Sequence, residues 1–238
     1  MLGVFNVYPW VMPAETQDFV SFFVENGVKK KYAKHQILEH GGKNGCVSMV
    51  EKGLLSFFFY DAFSRQNVFS LSPPRRTLGD LEALDGTTSY ALAECLMETH
   101  MLVVSRKSFI TYLRGNVDRM EQYAASANRK HQCVMEGMIA TYTYPVPERL
   151  RLLLYSLIHS FEINYVNNYL QLPLELSVTD IARILSADRS WVSLTISAWK
   201  NEGYVRRTGK KFLVSPKLFA HPMIYQHFSR EEKADRPK

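Results

Sequence analysis

The 238 residues carry 46% hydrophobic, 13% aromatic and 22% charged side chains. That balance builds a core and excludes a chain disordered along most of its length. The formal net charge is +6, unevenly spread: residues 1–144 hold 15 basic and 14 acidic side chains, while residues 145–238 hold 14 and 9, so the excess lies in the C-terminal part and points to a polyanionic partner.

Thr16 to Asn26 reads as a short apolar helix stopped at Asn26-Gly27. From Lys29 to Val104 the pattern changes to short runs broken by turns. The candidate strands are Lys30–Tyr32, Gln36–Leu38, Cys46–Glu51, Leu54–Tyr60, Gln66–Ser72, Tyr90–Cys95 and Thr99–Ser105. Many short strands at near-regular spacing predict an antiparallel barrel or jelly roll. Arg106–Gly115 is a helix, and Asn116–Thr143 a much longer one. Along the latter Met120, Ala124, Ala127, His131, Val134, Met138 and Thr141 recur in steps of four and three, the seam of a coiled coil. Such a helix packs either on its own barrel or against a second copy, and charges such as Arg119, Glu121, Arg129 and Lys130 lie beside the seam. Tyr144-Pro145-Val146-Pro147 breaks the chain, because proline cannot continue a helix interior. An amphipathic helix follows over Glu148–Phe161. The expected organisation is a barrel over 1–115, a long helix over 116–144, a basic domain over 145–224 and a charged tail over 225–238.

Residues 177–217 hold 8 basic and 3 acidic side chains, net +5. Ser177-Val-Thr-Asp180 starts a helix as a capping box does. Ser186-Ala187 turns, and Asp188 is placed to cap a second helix running to about Asn201. Ile181, Ala182, Leu185, Val192, Ile196 and Trp199 fall where two such helices touch, the spacing of a helix-turn-helix. Arg189, Ser190, Ser193 and Leu194 are then the base-reading candidates: the guanidinium reaches a guanine edge with two hydrogen bonds, small hydroxyls let the helix sit deep, and Leu194 either contacts a thymine methyl or packs. Tyr204–Arg207 and Lys211–Val214 form a hairpin wing. Thr179, Ser197, Lys200, Arg206, Lys210 and Lys211 are the candidates for the DNA backbone, with Arg207 beside them.

With these pieces in order the chain resembles the Crp/Fnr family of bacterial transcription regulators. The matching stretches are Val47-Ser-Met-Val-Glu-Lys-Gly53, Leu78-Gly79-Asp80, Leu176-Ser-Val-Thr-Asp-Ile-Ala182, Asp188-Arg-Ser-Trp-Val-Ser193 and Asn201-Glu-Gly-Tyr-Val205. The resemblance implies an α+β chain with an N-terminal, cyclic-nucleotide-binding-like barrel, a long dimerisation helix and a C-terminal winged helix-turn-helix. It also implies a homodimer on palindromic double-stranded DNA, RNA polymerase as a further partner, and an effector-gated activity that is not enzymatic. An Arg-Ser pair in cyclic-AMP-binding members corresponds to Ser89-Tyr90 here, and Asp80 stands where Glu is usual. An uncompensated buried phosphate costs several kcal/mol, so cyclic AMP is not expected; Val134 and Met135, apolar where the purine would sit, agree. Leu78, Gly79, Asp80, Leu81, Ser89, Tyr90, Val134, Met135 and Met138 are the candidate lining of a pocket for some other small molecule. Ser190 and Leu194 replace residues that are acidic and basic in the family, so the operator should differ from the common one.

Cys46, Cys95 and Cys133 are too few and scattered for a disulfide framework, a thiolate metal site or an N-terminal iron–sulfur cluster. They read as reduced core thiols, as in a cytoplasmic protein. His40-Gly41-Gly42 lacks a second nearby histidine, and no metal or cofactor is expected. The apolar run Leu54–Tyr60 is far short of the about 20 residues that cross a bilayer, and Met1–Val11 lacks a basic region and a cleavage site, so no membrane partner is expected. The alternative function is a cupin-like barrel enzyme, or a metal- or haem-binding sensor, with a basic accessory domain.

Overall fold

A computed structural model describes residues 4–39, 45–87, 89, 91–161, 164–208, 211–221 and 224. Two bodies result, Val11–Gln132 on one side and Met1–Trp10 with Cys133–Lys238 on the other. Tyr90, Lys210, His40-Gly41-Gly42 and the charged tail 225–238 lie outside the described residues.

The first body begins with α1 (Gln17–Asn26). Then come β1 (Val28–Tyr32), β2 (Ile37–Glu39), β3 (Cys46–Lys52), β4 (Leu55–Tyr60), β5 (Gln66–Ser72), β6 (Thr77–Leu78), α2 (Asp80–Asp85), β7 (Leu92–Cys95), β8 (Thr99–Ser105) and α3 (Arg106–Arg114). They build two four-stranded antiparallel sheets, ordered β1-β8-β3-β6 and β2-β7-β4-β5. Helix α4 (Val117–Thr143) begins in this body and ends in the second. The short β6 and α2 were not expected; they follow Pro73-Pro74, where turn chemistry dominates the sequence. Phe19, Phe22 and Phe23 of α1, Phe109 and Leu113 of α3 and Tyr123 of α4 are buried with Val47, Met49, Leu102 and Val104 of the sheet. Each such aromatic or Leu contributes about 1.5–3 kcal/mol by leaving water. Gly53 turns the chain from β3 to β4 with φ +114°, and a Cβ there would fall 2.7 Å from the Cα of Thr99; only glycine permits that approach. Cys95 and Cys133 are buried, but Cys46 is exposed, which corrects the expectation of three core thiols: it is the first residue of β3 and opposes Ser105, the last of β8.

The second body contains α5 (Val146–Ile158), β9 (Asn164–Val166), β10 (Tyr169–Gln171), α6 (Val178–Ile184), α7 (Arg189–Asn201), β11 (Val205–Thr208), β12 (Lys211–Val214) and a 3-10 turn at Pro216–Phe219. Its sheet runs β11-β12-β10-β9. Helix α5 starts two residues earlier than expected, because Pro147 sits in its first turn, where a missing N–H costs nothing. The β9–β10 hairpin was not expected from the sequence. Its turn residues Asn167 and Asn168 have φ of 48° and 64°, the paired left-handed conformations of a two-residue hairpin turn that Asn tolerates. The core is Leu150, Leu153, Leu154 and Leu157 of α5 with Ile181, Leu185, Val192, Ile196, Trp199, Phe212 and Val214.

The N-terminal segment joins this body. The Trp10 N–H donates to the Cys133 carbonyl at 3.2 Å, and the Phe5 N–H donates to Glu136 Oε1. A Cβ on Gly137 would lie 2.6 Å from Cδ1 of the Trp10 indole. Tyr8 stacks on His159 with ring centroids 5.7 Å apart and an interplanar angle of 28°. Burial pushes the Glu136 carboxyl above its ordinary pKa, against the Phe5 and Val4 N–H groups that favour its charge.

Candidate nucleic-acid interface

The start of α6 is fixed by its own sequence. The Asp180 N–H donates to Ser177 Oγ at 3.1 Å, and the Ser177 N–H donates to Asp180 Oδ2 at 2.9 Å, the reciprocal capping box expected. Burial raises the Asp180 pKa, but hydrogen bonds from Ser177 and Arg183 outweigh it and hold the carboxyl below its usual value. The turn between α6 and α7 places Ser186 at φ 48° and closes with the Ala187 N–H on the Ala182 carbonyl at 3.0 Å. Asp188 precedes α7, but its side chain makes no capping bond, contrary to expectation; the Val192 N–H on the Asp188 carbonyl at 3.3 Å closes the first turn without the carboxylate.

Two arginines of α5 that the sequence reading passed over support this unit. Arg149 Nη1 donates to the Leu185 carbonyl at the turn, 2.5 Å away. Arg151 lies 5.2 Å over the Trp199 ring and donates to the Leu218 carbonyl. Burial pulls both guanidinium pKa values below the ordinary one. Two arginines flanking Leu150, where the apolar run of α5 begins, were the available signal.

Helix α7 divides by face as its periodicity predicts. Val192, Thr195, Ile196 and Trp199 are buried. Arg189, Ser190, Trp191, Ser193, Leu194, Ser197 and Lys200 are exposed, as is Thr179 on α6. Gly203, at φ 75°, ends the helical stretch, and the wing follows in the register Arg206↔Leu213, Arg207↔Phe212, Thr208↔Lys211. Arg206 is exposed and Lys211 half-buried. Arg206 lies 4.6 Å over the Tyr169 ring and Arg207 4.4 Å over the Phe212 ring, arrangements that orient a cation without neutralising it.

Helix α4 has two faces. Tyr123, Ser126, Lys130, Cys133, Glu136 and Ala140 are buried. On the seam, Ala124, His131 and Met138 are exposed, and Met120, Ala127, Val134 and Thr141 are half-buried. Lys130, expected among the solvated charges beside the seam, is instead 2% exposed. Its Nζ lies 2.7 Å from Glu15 Oε1 and 2.7 Å from Asp80 Oδ2, and donates to Thr77 Oγ1 at 2.6 Å. Thr77 and Ser126 donate in turn to Glu15 at 2.8 and 2.7 Å. Burial alone would lower the ammonium pKa; Asp80 and Glu15 outweigh it and raise it above the ordinary lysine value.

Of the expected effector pocket, Leu78, Gly79 and Asp80 are buried, and Leu81, Ser89 and Val134 half-buried, while Met135 and Met138 are exposed at 47% and 52%. Leu78, Gly79, Asp80, Leu81 and Ser89 belong to the first body; Val134, Met135 and Met138 belong to the second. A separate open cleft of about 580 Å³ has Asp18, Glu25, Lys107, Tyr112 and Arg119 in its lining and none of the expected pocket residues. No group of three or more His, Cys, Asp or Glu among the described residues could hold a metal. No helix among them is long and apolar enough to cross a membrane.

FixK2 from Bradyrhizobium japonicum superposes with a TM-score of 0.67 at 15% identity, over 89% of this chain and 98% of its own. TTHB099 from Thermus thermophilus, a transcriptional regulator of the CRP family, gives 0.67 at 16% over 80% and 95%. The c-di-GMP-responsive global regulator CLP of Xanthomonas campestris gives 0.66 at 14% over 84% and 99%. The chain has the Crp/Fnr fold. No family model and no curated protein matches the sequence. In the Crp/Fnr fold of this chain, α6, α7 and the β11–β12 wing are the winged helix-turn-helix, and Asp80, opening α2, is held by an internal lysine.

Proposed function

We propose that this chain is a homodimeric regulator of transcription that binds a palindromic site in double-stranded DNA, and that it is not an enzyme. The observation that carries the reading is the solvent face of α7. Arg189, Ser190, Ser193 and Leu194 are exposed together on a helix seated by Arg149 and Arg151, with cationic wing residues beside it. In this reading Arg189 contacts a guanine edge, and Thr179, Ser197, Lys200, Arg206, Lys210 and Lys211 meet phosphates. Residues 145–224 bind DNA, the seam of α4 pairs with a second copy, and the two α7 helices enter the major groove about 34 Å apart. RNA polymerase is the further partner.

The barrel over 1–115 is the sensing domain in this proposal, and its effector is not cyclic AMP. Asp80 is buried and paired with Lys130, and Ser89 stands where a cation for the cyclic phosphate would be needed, so a buried phosphate would go uncompensated. The hydroxyls of Ser70 and Ser72, buried and without a hydrogen-bond partner among the described residues, suit a small molecule that brings its own polar groups.

Selection from random duplexes, followed by titration across salt, tests the function. Arg189→Ala should cost about 1–3 kcal/mol and relax one base position, whereas Lys211→Ala should weaken all duplexes alike and lower the salt slope by about 1. Equal losses on selected and random DNA for Arg189→Ala would remove the base-reading role.

A further inference from the structure

The outward face of α7 is not polar throughout. Trp191 is 57% exposed and Leu194 62% exposed, while Val192, Ile196 and Trp199 on the same helix are 0%, 5% and 6% exposed. Among the described residues after α4, the exposed large apolar side chains are Tyr165, Trp191 and Leu194, so two of three stand on this one helix. At about 100° per residue, Ser190 and Ser197 sit near the middle of the exposed face and Leu194 lies about 40° to one side of Ser190. Trp191 flanks it about 60° away, next to the exposed Ala198. Arg189 and Lys200 occupy the other flank. The helix therefore offers an apolar ridge along one side of its exposed face, serines along the middle and cations along the other side, and that charge fits a polyanion rather than an apolar protein groove.

On a DNA major groove that ridge has one chemical counterpart. Every base pair displays hydrogen-bonding groups there, but thymine alone presents a methyl group. A leucine side chain has no polar atom. Against a guanine or cytosine edge it would strip water from groups and replace no hydrogen bond, which is unfavourable; against the thymine methyl both surfaces leave water together. We infer that Leu194 selects a thymine 5-methyl group in each half-site, and that Trp191 covers the contact from the side and excludes water. The inference rests on the DNA-binding reading above and names how one of its positions is read.

The test uses the full chain and the duplex that it selects from a random pool. The selected duplex should carry a T·A pair at one position of each half-site that Leu194→Ala no longer selects. Replacing that thymine by deoxyuridine removes the methyl alone. Wild-type affinity, read by fluorescence anisotropy, should fall about fourfold per methyl, the equivalent of about 0.8 kcal/mol for one buried carbon. Leu194→Ala should bind the thymine and deoxyuridine duplexes equally, and Leu194→Met should keep the discrimination. Because residue 194 is exposed, neither substitution disturbs the core. A selected duplex bound equally well with every thymine replaced by deoxyuridine overturns this inference and leaves the proposed function standing. If no duplex is preferred over competitor, both are overturned.

Discussion

Replacing Lys130 by methionine isolates the largest electrostatic commitment in the first body. Met approximates the lysine stem but leaves the Glu15 and Asp80 carboxylates, each 3% exposed, without a cation. Breaking a buried pair by removing one partner costs about 3–5 kcal/mol, and here one ammonium serves two carboxylates at 2.7 Å each, so the upper end applies. At about 3 °C per kcal/mol for a chain of this size, the melting temperature should fall about 15 °C at pH 7 by calorimetry. In the wild type the raised Lys130 pKa means that its stabilisation is complete below the ordinary lysine range and is lost as pH rises through the raised value. The triple variant Lys130→Met, Glu15→Gln, Asp80→Asn should recover most of the loss, since no unpaired charge remains buried. A Lys130→Met protein within about 1 kcal/mol of wild type would refute the reasoning, because the ammonium would then be no more than a surface charge.

Gly137→Ala should destabilise by about 1–3 kcal/mol through overpacking against the Trp10 indole, and tryptophan emission should shift to the red as Trp10 is displaced. Asp180→Asn should cost about 1 kcal/mol at pH 7, a cap's worth, measured by urea unfolding. Because the folded Asp180 pKa is lowered, wild type holds this advantage above the ordinary carboxylate range and loses it as pH falls through the lowered value, so the two proteins should converge below that value. Met138→Glu should convert a dimer into a monomer by sedimentation while leaving the circular dichroism spectrum unchanged, because Met138 is 52% exposed and supports no core.

Local chemistry made much of this legible. The Ser177–Asp180 capping box and the inward and outward faces of α7 depend on residues within one or two turns of each other, and both stand in the structure as the sequence implied. The strands of the first body other than β6 were also readable, since turn residues bracket them. What the sequence hid depends on partners far along the chain. Lys130 looks solvated in any periodic reading of α4; only the return of Glu15 and Asp80 to the same point buries it. Arg149 and Arg151 are likewise distinguished by the carbonyls of Leu185 and Leu218, which no local pattern announces. Asp188 is the exception among the local readings: its residue type suits a cap, but its side chain makes no capping bond.

The segment Phe5–Trp10 has a mechanical consequence for the elbow at Tyr144-Pro145. It grips α4 through Cys133, Glu136 and Gly137, and the end of α5 through the Tyr8 ring, which lies beside Tyr155 and stacks on His159. Two rods joined at a proline are here laced by a cord from the far end of the chain. Any opening or closing of that angle must first unseat an indole or part a pair of rings, so the joint moves in discrete steps or stays put.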